Sequence, residues 1–317
     1  MYNLCCISNE LKEEGHSFQT MTWKRFNQLI DSVGVKQALY ELGNRWLNNV
    51  VVTKQCIEHC AKNSWGYRVS SDIFPILTHP DFKNNLFDVP QYGSIMSVFE
   101  QIKEFNLDMT TMIQKVRLSC HPDQFNVLAS KNESAVKKTI EELNYHGWLM
   151  DMLGCKRNYE NPINIHVNAS TGDEINIVMQ FMTNYDKLDK SVTSRLVLEN
   201  EDKGIWTVKN LFKYFASLYR IPITFDNLHH KCNSDDLSEQ EAVELCAMSW
   251  GTYIPLFHYS ESDPDNKNQR AHAEYPTSYP QHDQYDWDIE LKGKDKAIRA
   301  ISLIKLTEEA QELNLGY

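Results

Sequence analysis

The stretch RLSCHPDQFNVLAS, residues 117–130, combines the two features that decide the fold. It opens with an apolar run typical of a buried strand, and the run stops at His121, which a proline follows. A histidine is an unusual end for a core strand, because a buried imidazole needs a partner for its polar atoms. If other strands end in the same way, the chain gathers several such side chains at one edge of its sheet.

Short apolar runs recur along the chain, and helix-like segments lie between them. The candidate strands are residues 2–7, 66–69, 116–120, 163–167, 195–198, 223–225, 253–258 and 287–291. The candidate helices are residues 46–62, 133–153, 208–218, 238–248 and 294–306. Ser238 and Glu241 have the spacing of a capping box at the start of one of them. The alternation predicts an α/β fold, a (β/α)8 TIM barrel that forms a single domain over residues 1–317.

A doubly wound open sheet is the alternative arrangement for such a chain. That fold usually carries a glycine-rich phosphate-binding loop after its first strand. Here the first strand runs into ISNELKEEGH, residues 7–16, which contains neither GxGxxG nor GxxxxGK[ST]. The absence of this loop favours the barrel.

Charge and composition limit the functional classes. The net charge of −11 argues against a nucleic-acid coat protein, but it leaves room for a DNA enzyme with a local positive face. The eight cysteines form no CxxC pair, so we expect neither a zinc ribbon nor disulfides. No apolar stretch approaches the roughly 20 residues of a membrane span, and we see no signal peptide. We therefore expect a cytoplasmic protein without a membrane partner.

Histidines and carboxylates follow the predicted strands one after another. They are His121, His166, Glu199, Asp226, His229, His258, His272 and Glu290. In a barrel the C-terminal strand ends meet at one mouth, where so many polar groups need a common partner. Imidazoles with shared carboxylates suit Zn²⁺ or Mn²⁺, and a carboxylate on a middle strand can bridge two ions. Of the adjacent His229 and His230, strand alternation predicts that only one is a ligand.

The order of several segments carries a family likeness. HPDQF, NIHVN, LENED, FDNLHH, FHYS, RAHAEY and DIELKGKDKA together resemble the UV damage endonuclease family, which comprises TIM-barrel DNA repair nucleases related to endonuclease IV. The resemblance runs from residue 7 to residue 297. It implies a single nick on the 5′ side of UV photoproducts, cyclobutane pyrimidine dimers and 6-4 photoproducts, in damaged double-stranded DNA. We expect the protein to act as a monomer.

The resemblance also implies a cofactor of two or three divalent ions, with manganese preferred and zinc or magnesium possible. The ion sites would comprise His121 with His166, then Glu199 with Asp226, His258 and Glu290, and finally His229 with His272. Glu199 would bridge the first two sites. The catalytic roles are expected to fall to Glu199, Glu290 and His229.

Four residues are expected to contact DNA. The resemblance implies that Gln124 and Phe125, after the His-Pro pair, probe the distorted duplex. Ordinary core packing is the alternative for Phe125. Asn9, after the first strand, and Lys292, after the last, are expected to contact DNA as well. A solvated, charged start of the last helix is the alternative for Lys292.

Two positions depart from the family pattern. Leu256 stands where the family commonly has a lysine, sometimes carbamylated near the metals, and Cys5 with Cys6 replaces a stretch that often holds an aromatic residue. Three other functions therefore stay open. They are an abasic-site endonuclease of the endonuclease IV type, a metal-dependent sugar isomerase or epimerase, and an inactive DNA-binding relative.

Overall fold

Eight parallel strands form one sheet in the computed structural model, which describes residues 1–82, 115–123 and 125–315. The strands are β1 (Tyr2–Cys5), β2 (Gly66–Val69), β3 (Leu118–Cys120), β4 (Ile163–Ile165), β5 (Leu196–Glu199), β6 (Ile223–Thr224), β7 (Leu256–Tyr259) and β8 (Asp286–Ile289). Their order is β6-β5-β4-β3-β2-β1-β8-β7. All eight strands that the sequence predicts are therefore confirmed.

The sheet closes into a barrel between its two end strands, β6 and β7. The backbone N–H of His258 donates to the carbonyl of Phe225 at 2.8 Å. Asp226 and His258 also form a parallel bridge there. The expected TIM barrel is confirmed, and two of the candidate ligands lie at its seam.

Helices surround the barrel. They are α1 (Asn9–Glu13), α2 (Trp23–Val33), α3 (Val35–Asn63), α4 (Glu133–Met152), α5 (Glu174–Tyr185), α6 (Lys190–Thr193), α7 (Val208–Leu211), α8 (Ser217–Tyr219), α9 (Asn227–Cys232), α10 (Glu239–Ser249) and α11 (Asp295–Leu315). A π-helical turn, Phe212–Ala216, joins α7 to α8. The capping box is observed, because Ser238 Oγ accepts from the N–H of Glu241 while the Glu241 carboxylate accepts from the N–H of Ser238.

The barrel strands are buried on both faces, as parallel strands covered by helices must be. Every residue of β5 and of β7 is buried. Polar side chains inside this barrel are therefore cut off from water and must find partners in one another. All eight cysteines are free thiols. Among the described residues, no helix combines the length and the apolar character needed to cross a bilayer.

Candidate metal centre

The carboxylate of Glu199, at the end of β5, lies among four imidazoles. The nitrogen–oxygen distances are 3.0 Å for His121, 3.1 Å for His229, 3.1 Å for His258 and 3.7 Å for His166. Glu199 is only 1% exposed. Four histidines that come from separate strand ends thus meet around one buried carboxylate.

Two further carboxylates extend the cluster toward β6 and β8. Nδ1 of His258 lies 3.3 Å from Oε1 of Glu290. One possible ligand atom from each of Asp226, His258 and Glu290 lies within 4.8 Å of the others. His272 lies at the edge of the cluster, with Nδ1 at 4.0 Å from Oε2 of Glu290.

Backbone carbonyls orient three of the imidazoles through their Nδ1 atoms. The pairs are His121 with Pro122 at 3.0 Å, His229 with Asn200 at 2.9 Å, and His272 with Glu290 at 2.8 Å. A carbonyl oxygen can only accept, so each Nδ1 carries a hydrogen. When these rings are neutral, Nε2 is the atom left to bind an ion, and the tautomer is fixed before binding.

Helix α9 delivers His229 to the cluster. Oδ1 of Asp226 caps this helix by accepting from the N–H of His229 at 2.7 Å, which leaves Oδ2 free. The next residue, His230, points elsewhere, and its Nε2 contacts the carbonyl of Leu237 at 3.1 Å. Only one of the two adjacent histidines lies at the cluster, as expected. The reason differs from strand alternation, because both lie on a helix, where successive side chains are turned by about 100°.

The cluster keeps Glu199 ionised. Burial alone would raise the pKa of Glu199. The neighbouring His166 and His258, together with the close contacts from His121 and His229, instead lower that pKa well below its usual value. The carboxylate is therefore an acceptor at neutral pH and a suitable ligand for a cation.

The pKa values of two imidazoles in the cluster are shifted in opposite directions. Burial lowers the pKa of His166 to about 4, which leaves its ring neutral. Burial also opposes the charge of His258, but Glu199 and Glu290 outweigh it and raise the pKa of His258 to about 9. A proton on His258 thus balances the carboxylates, and a divalent cation bound there would displace such a proton.

The donor set fits divalent cations. Among the described residues, three buried ligand atoms have no hydrogen-bond partner, namely Nδ1 of His166, Nδ1 of His258 and Oδ2 of Asp226. Three groups of possible ligand atoms each lie within 4.8 Å, namely His121, Glu199 and His258; His166, Glu199 and His229; and Asp226, His258 and Glu290. Nitrogen and carboxylate ligands of this kind suit manganese or zinc. These groupings differ from the resemblance, which joins His121 to His166.

Arg68, on β2, is a residue of the site that the sequence did not predict. Its Nη1 contacts the Glu290 carboxylate and lies 3.6 Å from Oδ2 of Asp288. Arginine remains charged even when buried, so it offsets part of the negative charge of these two carboxylates. Arg68 thereby fixes one oxygen of Glu290 from inside the barrel.

Two more interior residues were missed, and the sequence does hold a signal for them. Asn164 donates to the Glu199 carboxylate and lies two residues before His166. Asp288 lies two residues before Glu290. Because side chains i and i+2 of a strand share a face, a polar residue two positions before a candidate ligand points into the same interior.

The described candidates for DNA contact, Asn9, Phe125 and Lys292, follow the C-terminal ends of β1, β3 and β8 in the chain. Phe125 is 77% exposed, which excludes core packing for its side chain. Nζ of Lys292 forms an ion pair with Asp263 at 2.9 Å. Nδ2 of Asn9 donates to the carbonyl of Lys292 at 3.4 Å. Gln124 lies outside the described residues.

The family model for UV-endonuclease UvdE matches residues 2–315. The chain belongs to this family. A relative from Bacillus cereus (strain Q1), named UV DNA damage endonuclease, is 31% identical over 236 residues, which cover 71% of the chain and 69% of the relative. A relative of the same name from Bacillus pumilus (strain SAFR-032) is 27% identical over 93% of the chain and 89% of the relative. The family expected from the sequence is therefore confirmed.

A third relative, from Clostridium perfringens (strain 13 / Type A), is also named UV DNA damage endonuclease. It is 29% identical over 81% of the chain, and the match spans 63% of that relative's length. Among solved structures, SacUVDE superposes with a TM-score of 0.76 and 25% identity over 98% of both chains. Endonuclease IV from Thermus thermophilus superposes with a TM-score of 0.52 and 14% identity over 80% of this chain and 93% of the other, which shows a shared fold.

Proposed function

We propose that this protein is a metal-dependent DNA repair endonuclease that nicks the phosphodiester on the 5′ side of UV photoproducts. Membership of the UV-endonuclease family supports the substrate and the enzyme class. The observation that carries the proposal is the convergence of four imidazoles on the buried carboxylate of Glu199.

We propose a cofactor of two or three divalent ions, with manganese preferred. The residues that would hold them are His121, His166, Glu199, Asp226, His229, His258, His272 and Glu290. Bound ions of this kind activate a water molecule, neutralise phosphate oxygens and stabilise the 3′-alkoxide leaving group. Neutral imidazole ligands add no negative charge, and the carboxylates only partly offset the dications, so the mouth would stay cationic and draw a phosphate to a protein of net charge −11.

Glu199, Glu290 and His229 are the proposed catalytic residues. Glu199 stays ionised at the centre of the imidazoles, so it can serve two ion sites at once. Arg68 fixes one oxygen of Glu290. The Asn200 carbonyl contacts Nδ1 of His229, and the helix cap of Asp226 holds its backbone N–H, so both fix His229 in place.

Lesion choice would come from the deformability of damaged DNA. A photoproduct weakens stacking and pairing, so bending and splaying the duplex costs less free energy there. The exposed ring of Phe125 suits a wedge between bases, and we propose that Gln124 acts beside it. Lys292 would exchange its ion pair with Asp263 for a DNA phosphate, and Asn9 would contact the adjoining backbone.

Incision of supercoiled plasmid tests the proposal. We expect chelated protein to leave UV-irradiated plasmid intact, and added Mn²⁺ to restore nicking of irradiated but not of untreated plasmid. Undiminished nicking after chelation would contradict the metal requirement. Preferred nicking of abasic plasmid would favour the endonuclease IV type of activity, and turnover of a free sugar without DNA cleavage would favour an isomerase.

The variant Glu199→Gln removes the central charge while keeping the size of the side chain. We expect nicking to fall by about 100-fold or more, beyond the roughly 10- to 100-fold typical of residues that only support a ligand. Glu201→Gln is the matched control, because Glu201 is also buried after β5 but accepts from the backbone of Asn168 at 2.7 Å. Nicking by Glu199→Gln at the rate of the control would discard the assignment of Glu199.

A further inference from the structure

A second layer of polar side chains lies inside the barrel, next to the ligand cluster. Its central residue is Asp288 on β8, which is 1% exposed. Oδ1 of Asp288 accepts from Nδ2 of Asn3 at 2.9 Å. Oδ2 lies 3.6 Å from Nη1 of Arg68 and 3.6 Å from Nε2 of His258. A buried carboxylate is costly unless it has such partners, so its presence here calls for a reason.

Strand register places this layer beside His258. Asp288 pairs with Asn3 across β1 and β8, and with His258 across β7 and β8. Gly66, the register neighbour of Asn3 on β2, leaves the space for the Asn3 side chain, because a Cβ there would lie 2.1 Å from Asn3 Oδ1. The glycine at position 66 therefore leaves room for the Asn3 side-chain amide, which contacts Asp288.

His258 differs from the imidazoles that backbone carbonyls orient. Its Nδ1 faces Glu199 at 3.1 Å and Glu290 at 3.3 Å, so Nδ1 is the atom directed into the ligand cluster. A neutral ring that binds an ion through Nδ1 must carry its hydrogen on Nε2. Oδ2 of Asp288 lies 3.6 Å from Nε2, which is longer than a hydrogen bond, and this buried oxygen has no hydrogen-bond partner among the described residues.

We propose that Asp288 is a positioning residue of the metal centre. A small shift of the ring on ion binding would let the unpartnered Oδ2 of Asp288 accept from the Nε2–H of His258, and would thereby fix the tautomer and the ring orientation that present Nδ1 to an ion held with Glu199 and Glu290. This role takes the place of the backbone carbonyls at His121, His229 and His272. The inference rests on the proposed metal-dependent function, although its test needs no DNA.

Calorimetric titration of the metal-free full-length chain with Mn²⁺ alone tests the role. We expect Asp288→Ala to weaken Mn²⁺ binding about 10- to 100-fold, the usual effect of removing a partner of a metal-bound histidine. We expect the same loss of Mn²⁺ affinity for Asp288→Ser, whose side chain is too short to reach His258. This variant replaces Asp288→Ala if the alanine variant does not fold. Asp288→Asn, whose amide oxygen still accepts from Nε2–H, recovers part of the affinity.

Asp286→Asn is the matched control for a purely structural effect. Asp286 is a buried carboxylate on the same strand, but it pairs with the amino group of Met1 and with Arg117 at the opposite end of β8. We expect its Mn²⁺ affinity to stay within about 2-fold of the wild type, even if the fold is less stable.

The outcomes separate the two proposals. Wild-type affinity in Asp288→Ala, or in Asp288→Ser when alanine does not fold, overturns the role of Asp288. A loss in the Asp286 variant as large as in the Asp288 variants also overturns it. A wild-type chain that binds no Mn²⁺ at all contradicts the metal-dependent function itself.

Discussion

Glu199 illustrates how a buried carboxylate is kept at the centre of this protein. An isolated buried glutamate would raise its pKa and become neutral. Here the surrounding imidazoles lower the pKa of Glu199 instead. A divalent cation would also supply positive charge and keep the carboxylate ionised. Divalent cations therefore compete with protons on the histidines for the ligand cluster.

Phe125 offers a test of lesion binding at the scale of one side chain. We expect Phe125→Ala to weaken binding to a duplex with a pyrimidine dimer about 10-fold, because stacking on an aromatic ring contributes roughly 1–3 kcal/mol per base. Fluorescence anisotropy measures the affinity, and elemental analysis should show unchanged metal content.

Met248→Ala is the control for that experiment. Met248 is 68% exposed near the end of α10, which leads into the start of β7, away from the strand ends that form the mouth. Its loss should leave DNA affinity unchanged. Equal affinity in the two variants, or loss of metal from the Phe125 variant, would contradict a role for Phe125 in DNA binding.

The candidate ligands could be read from the sequence because they lie just after strands. His121, Glu199 and Glu290 each follow or end an apolar run, so a residue-by-residue reading finds them. Arg68 escaped because it lies within a short strand, where a charged residue is usually interpreted as outward-facing, and no candidate ligand lies two residues away. The direction of such a residue depends on which face of the strand is inside, and only the register of neighbouring strands settles that.

Among the elements, α9 depends on Asp226 in two ways. One carboxylate oxygen of Asp226 caps the helix, and the other is a candidate metal ligand. Asp226→Asn should keep the cap, because an amide oxygen also accepts from the N–H of His229. We expect the free energy of unfolding of the metal-free protein to change by less than about 0.5 kcal/mol. Mn²⁺ affinity should fall about 10-fold or more, because the amide lacks the charge of a ligand.

The comparison variant is Asp226→Ala, which loses the cap and the ligand together. Loss of the cap alone costs about 1 kcal/mol. Urea denaturation and Mn²⁺ titration of both variants separate the two effects. An asparagine variant that unfolds as readily as the alanine variant, or that binds Mn²⁺ like the wild type, would contradict this division of roles.

Asp295 joins α1 to α11, and its contribution to the stability of the fold depends on pH. Its Oδ2 accepts from the N–H of Asn9 at 2.5 Å and of Glu10 at 3.2 Å, and its Oδ1 lies 3.1 Å from Nε2 of His59. Burial alone would raise the pKa of Asp295, but the neighbouring His59, Ser8 and Glu10 lower it below the ordinary 3.8. The ionised carboxylate therefore stabilises the fold above about pH 4, and this contribution is lost as the pH falls through the lowered pKa.

We expect Asp295→Asn to lower the free energy of unfolding by about 1–3 kcal/mol at pH 7. The difference from the wild type should hold down to pH 5 and shrink at pH 3.5, which urea denaturation at the three values measures. Asp31→Asn, at an exposed position of α2, should show no difference at any pH. A difference as large at pH 3.5 as at pH 7 would contradict the assignment.

The eight strands followed closely from local patterns, whereas α1, α5, α6 and α9 were not predicted, and two further gaps concern α2 and α3. Helix α2 was not predicted, although Thr22 caps its start and Gly34 ends it with a positive φ of 82°. Helix α3 begins at Val35 rather than at residue 46, because Leu39 and Leu42 continue its buried face. Both gaps arise where two helices follow one another without a strand between them, which the strand–helix alternation does not anticipate.

For the whole molecule, the ligand cluster and the closure of the barrel coincide. The seam between β6 and β7 is bridged by Asp226 and His258, two of the candidate ligands. The topology could be predicted from the order of strands and helices. The grouping of histidines around Glu199 could not, because it depends on side-chain directions at a mouth built from strands far apart in sequence.

We propose that the imidazoles and carboxylates around Glu199 together hold divalent cations. Anomalous diffraction from a crystal grown with Mn²⁺ measures this most directly. We expect anomalous peaks enclosed by Glu199 and the surrounding histidines, with Asp226 and Glu290 at the same cluster. Side chains that diverge around solvent or an apolar space, with no anomalous peak between them, would contradict it.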